Sequence, residues 1–183
     1  TWWTTRLCDL TGSNAGYLGG TEMAQTTAGQ WRDWIERRVR ENVGWDEIAS
    51  NVVLARSRPN GQPYAEYVKQ QSTYTRSQNP ASYAEESGVM PHFWFRSNVS
   101  LPKDKALSFG YVFLGVRLEC AECHKHPYDQ WSKQDFEQFT EFFTRIQTGV
   151  APDAVAYHDL MLDRLGVPEK LNTAALRRQC YVR

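Results

Sequence analysis

The chain has 183 residues, enough for one ordinary domain with a real core. Lys plus Arg equals Asp plus Glu at 21 each, so no net field draws in nucleic acid or an anionic membrane surface. No apolar run approaches the roughly 18 residues of a membrane span, and the longest, around residues 111–116, is broken by Gly115.

The opening residues 1–10 read as a short Trp-rich helix, followed by a polar, Gly-rich loop over 11–20. Trp31, Ile35, Val39 and Val43 then recur every four residues, opposite Arg32, Glu36, Arg37 and Arg40. That spacing predicts an amphipathic helix over 28–42, capped by Thr26 or Thr27 and ended by Gly44. A second helix is expected over 46–55, with Ile48, Val52 and Ala55 on one side.

Between 56 and 98 the composition shifts to Ser, Gln, Asn, Pro, Gly and Tyr. This predicts a long, mostly irregular excursion with one helical turn near 64–70. Ser100 is placed to cap a buried helix over 103–119, with Leu107, Tyr111, Leu114 and Leu118 on one face. Ser132 and Asp135 have capping-box spacing, and Phe136, Phe139, Phe143 and Ile146 mark a helix to about 147. Asp153 starts a last helix over 154–165, closed by Gly166 and Pro168. The fold class expected is mainly α, with little or no sheet. Aromatics are 13% of the chain, so large rings must fill much of the core, which suits a bulky planar guest. Trp31, Trp34 and Trp131 read as packing residues rather than a sugar-binding surface.

The informative segment is Cys120-Ala121-Glu122-Cys123-His124-Lys125-His126-Pro127-Tyr128-Asp129. Two cysteines three positions apart can take the two vinyl groups of one porphyrin as thioethers, and the histidine that follows is brought beneath the iron as proximal ligand. A redox pair, half a zinc site and a structural disulfide are the competing readings. Zinc needs two more ligands, and Cys8 and Cys180 stand at the far ends of the chain. A redox Cys-x-x-Cys usually begins a helix, whereas here a helix is expected to end at the pair. Cys8 and Cys180 are either bridged, as an oxidising compartment allows, or free buried thiols.

The run from Phe113 through Trp131, followed by Asp135-Phe136 and Phe142-Phe143, resembles the core of a planctomycete cytochrome-c-like family, the PSCyt2 or DUF1549 type. Upstream, Trp31-Arg32-Asp33-Trp34-Ile35, Asn42, Trp45-Asp46, Asn79-Pro80 and Tyr83 are similar to it too, so the resemblance covers roughly residues 1–149. It implies a periplasmic or secreted haem-bearing module, commonly joined to a second domain, and no known reaction. This chain departs from the family's pattern by starting inside the expected N-terminal region, and residues 150–183, which the resemblance does not reach, are expected as a helical extension packed on the haem domain. The first residues, Thr1-Trp2-Trp3, suggest a piece of a longer polypeptide or a processed mature chain.

One covalent haem c is therefore expected on Cys120 and Cys123, with His124 on the iron. His126, Tyr128, Trp131 and Phe113 are expected around it, His126, Tyr128 or Asp129 bonding a propionate or fixing the turn. Candidate sixth ligands are Met90 and His92, His158 and Met161, with Met23 a minor one, and an open position is the alternative. Arg96 or His92 would serve as a polar donor over an open iron. A saturated iron suits electron transfer with a redox partner protein. An open one suits a haem enzyme or small-ligand sensor, and a haem used only as a staple suits a structural subunit of a larger assembly.

Overall fold

The computed structural model describes residues 1–20, 22–76 and 78–164, without the side chains of 22 and 23; Met23, Leu165, Gly166, Pro168 and Cys180 therefore lie outside the described side chains. The molecule is mainly helical, and the described residues contain no extended strand.

Helix α1 (Trp2–Thr11) begins where the Thr1 hydroxyl accepts the Thr4 N–H at 3.2 Å, and it stops at Gly12, whose φ of 77° lets its N–H return to the Cys8 carbonyl. Its buried stripe is Thr4, Cys8 and Thr11. The tryptophans that make this segment look like core are not in it: Trp2 and Trp3 are each 62% exposed, edge to face with each other.

Helix α2 (Glu22–Arg40) carries the centre of the core through Trp31, Trp34 and Ile35. It starts six residues before the expected boundary, so Thr26 and Thr27 lie inside it and do not cap it. Asn42, at φ 54°, provides the left-handed stop expected of Gly44, which instead precedes α3 (Trp45–Val53). The Trp34 indole donates to the Ser87 carbonyl at 3.0 Å, and Arg38, stacked on the Trp34 ring, donates to the same carbonyl. These bonds fasten α2 to α5 (Tyr83–Glu86).

The excursion over 56–98 is more ordered than its composition suggests. Helix α4 (Tyr64–Tyr74) makes three turns where one was expected, and it buries Tyr64, Tyr67 and Tyr74. Its apolar face is built of tyrosines, which a search for aliphatic periodicity passes over. Two short 3-10 turns follow, Pro91–Phe95 and Ser97–Val99, and every residue of the first is buried. Met90 N–H bonds the Asn51 carbonyl and the Trp94 indole bonds that of Val53, which ties this turn to α3.

The helix expected over 103–119 stops short. Helix α6 (Pro102–Phe109) is capped by Asp104, whose carboxylate accepts the Leu101 N–H, and not by Ser100. It widens into a π turn, Gly110–Leu114, and ends at Gly115 with φ 68°. Both Gly115 and Val116 return their N–H groups to the Gly110 carbonyl. The chain then doubles back so that Leu118 lies over Gly110, where a Cβ would come within 3.0 Å of its side chain.

Helix α7 (Lys133–Glu141) opens on the reciprocal box expected of Ser132 and Asp135: Asp135 N–H to the Ser132 hydroxyl at 3.1 Å, and Ser132 N–H to the Asp135 carboxylate at 2.8 Å. It ends six residues earlier than expected, in turns that still bury Phe143. Beyond residue 149, Val150, Ala151 and Ala154 join Tyr64, Tyr67 and Val68 in a second, smaller apolar cluster. Helix α8 (Val155–Arg164) sets Tyr157 edge-on to Tyr64, and Arg58 pairs with Asp153 beside it.

Candidate functional site

The segment leaving the π turn is pinned by two fully buried side chains, Leu118 and Ala121. Between them the backbone winds as a 3-10 turn, Glu119–Glu122, with Ala121 N–H on the Leu118 carbonyl. Three residues per turn set Leu118 and Ala121 inward together, so Cys120 and Cys123 share another face. Both thiols are free and exposed. Lys103 of α6 forms an ion pair with Glu122 and steadies the turn from outside.

Two histidines follow, and the backbone sorts their nitrogens. His124 Nδ1 lies 2.7 Å from the Lys125 carbonyl, which can only accept. Nδ1 therefore donates, and in the neutral form of the exposed ring Nε2 is the nitrogen with a lone pair for a metal. His126 is the reverse: its Nδ1 accepts the Tyr128 N–H at 3.2 Å, so the neutral ring carries its proton on Nε2. His126 N–H also bonds the Trp131 carbonyl at 2.8 Å, closing the turn over 126–131. Tyr128 is almost wholly exposed, whereas Trp131 is half-buried and edge-on to Phe139 of α7. Phe113 faces inward, stacked on Trp45 and edge-on to Phe93.

The candidate sixth ligands are scattered. Met90 is fully buried in the main core. His92 lies among the rings of Trp31, Tyr83 and Phe95, with neither nitrogen hydrogen-bonded, and burial pushes its pKa down to about 4. It is a neutral imidazole in an apolar box. His158 is buried on α8 with Nδ1 3.3 Å from the Asp159 carboxylate, and Met161 is half-buried on the same helix. Cys8 is free on α1, and burial raises its thiol pKa.

Among the described residues no three His, Cys, Asp or Glu side chains converge on a point where one ion would sit. Cys120, Cys123 and His124 are close in sequence but do not form such a group, and a tetrahedral zinc ion needs four ligands.

One residue of consequence has only a faint signature in sequence. Arg96 is 5% exposed, lies 4.3 Å over the Phe93 ring, and donates from Nε to the Phe93 carbonyl and from Nη2 to the Ser108 hydroxyl. Nothing within a few residues of Arg96 announces its burial, because Gly12 and Ser108, which accommodate it, come from distant segments.

Fold and site together define a helical protein presenting a surface Cys-x-x-Cys-His turn just after the chain doubles back from α6 and its π turn. Residues 1–148 match the family PSCyt2, described as a protein of unknown function (DUF1549), and the chain belongs to that family. The match ends within one residue of the limit of the resemblance seen in sequence. Comparison with curated proteins and with solved structures finds no match.

Proposed function

We propose that this chain is a monohaem c-type cytochrome of a periplasmic or extracellular compartment and that it transfers electrons to or from a partner protein. The observation that supports this most is the sorting of nitrogens at His124: with Nδ1 bonded to the Lys125 carbonyl, Nε2 is the nitrogen left to act as a ligand. Cys120 and Cys123 offer their thiols on one face for two thioether bonds. When bound, haem supplies one-electron redox chemistry. Leu118 and Ala121 hold the attachment turn to the core, Lys103 braces it, and His126 with Trp131 closes the loop beyond it.

A second reading, a haem enzyme or small-ligand sensor with an open sixth position, has one observation in its favour. Met90 and both nitrogens of His92 are sealed from the surface, so either would have to leave its packing to reach an iron outside the core.

The test is expression with a cytochrome c maturation system, followed by the mass of the intact chain and its pyridine haemochrome spectrum. One covalent haem is expected in the wild type and none in the Cys120→Ala, Cys123→Ala double variant. His124→Ala should keep the added mass and lose the wild-type axial spectrum. A colourless protein whose two thiols titrate freely sinks the proposal, and rapid carbon monoxide binding by the reduced protein favours the second reading.

A further inference from the structure

A cavity of about 300 Å³ opens between the end of α1, the turn around Asn98 and Val99, and α6 with its π turn. Arg96 lines it, with Gly12, Tyr17, Ser108, Tyr111 and Glu119 among its neighbours. Two of the three guanidinium nitrogens are spent on neutral acceptors, the Phe93 carbonyl and the Ser108 hydroxyl. The third, Nη1, faces Gly12, where a Cβ would come within 2.4 Å of it. Glycine at that position thus makes the room that Arg96 occupies in the cavity wall.

No carboxylate forms an ion pair with Arg96 among the described residues. Asp9, Asp104 and Glu119 border the cavity, but Asp104 accepts the Leu101 N–H, and Asp9 and Glu119 are exposed to water. Burial lowers the guanidinium pKa to about 10, which leaves it charged at neutral pH. A cation taken out of water without a counter-charge is costly, and a guanidinium with a nitrogen to spare pairs best with a planar carboxylate. The acidic border discourages dianions such as phosphate.

We propose that the Arg96 cavity is a binding subsite for a single carboxylate group. Two sources share that chemistry. One is a propionate of the haem, since Glu119 in the cavity wall immediately precedes Cys120; this source rests on the haem reading above. The other is a small free carboxylate, which does not.

The experiment is an acetate titration of the 15N-labelled, as-purified protein, reduced if it carries haem, against chloride at equal ionic strength. The Arg96 Nε–H and Gly12 amide resonances are followed. A free-carboxylate site gives saturable shifts in the wild type, with affinity about ten-fold weaker in Arg96→Lys, which keeps the charge and loses the planar fork. A propionate-filled site gives none in the haem-loaded protein and saturable shifts in the Cys120→Ala, Cys123→Ala variant. Should that variant not fold, the haem-loaded wild type and Arg96→Gln are compared by the pH dependence of the reduction potential. Loss of the cation should move the propionate titration up by about one unit. Acetate shifts indistinguishable from chloride, together with no change in that titration, overturn the proposal. Absence of haem by mass defeats the haem reading alone, because the acetate titration of the same protein remains readable.

Discussion

His92 enters the core as a base that the fold keeps neutral. Its pKa of about 4 arises from burial among Trp31, Tyr83 and Phe95, while the unfolded chain protonates near the ordinary histidine value of 6.5. Between those values the unfolded state holds more protons, so stability rises with pH: it is complete above about pH 6.5 and is lost as pH falls toward 4. The loss between pH 7 and pH 5 should be about 2 kcal/mol from this group. Urea unfolding at the two pH values measures it, and His92→Phe should remove most of the difference. A variant with the same pH slope as the wild type would place the effect elsewhere. The two histidines after Cys123 teach a related lesson. The place of His124 after the second cysteine is legible in sequence, but which Nδ1 donates, at His124, and which accepts, at His126, depends on the backbone groups each ring meets.

At the level of elements, local chemistry set some boundaries and tertiary contacts set others. The box of Ser132 and Asp135 needs only residues three apart, and it forms where the spacing predicts. Ser132→Ala should cost about 1 kcal/mol, read by thermal or denaturant unfolding. The end of α6 is different. The apolar spacing runs on through Tyr111, Leu114 and Leu118 as if one helix continued, yet Leu118 is buried by folding back over Gly110. Gly115 makes the reversal possible at φ 68°, so Gly115→Ala should destabilise by about 1 kcal/mol. Because that reversal aims the Cys120–His124 turn, the haem proposal predicts that the same variant lowers the yield of haem-loaded chain, measured as the Soret-to-protein absorbance ratio. Helix α4 escaped the sequence reading because its buried face is tyrosine, and a tyrosine's side depends on whether its hydroxyl finds water or a partner.

Across the whole molecule, the tryptophans range from fully buried to exposed, a spread that composition does not reveal. Trp31, Trp34 and Trp94 are buried in one cluster with Phe93, whereas Trp2 and Trp3 stand exposed on α1. Trp31→Ala should cost about 3–5 kcal/mol, enough to unfold a marginal domain. Trp2→Ala and Trp3→Ala should each stay within about 0.5 kcal/mol of wild type. Circular dichroism melts of the three variants decide this, and a large loss at Trp2 would mean that the exposed pair packs on something. The second cluster, joining α4 to residues 150–164, holds the end of the described chain to the segment read as loop.

The amino-acid order alone determined the helical class, the Cys-x-x-Cys-His turn, the family limits and the α7 cap, because each depends on chemistry within a few positions of chain. Tertiary structure decided which tryptophans are core, that His92 is sealed and neutral, that Arg96 borders a cavity, and where α6 turns back. These depend on segments tens of residues apart meeting in space, and burial, with the dielectric and hydrogen-bond partners it brings, belongs to that meeting and not to any single stretch of sequence.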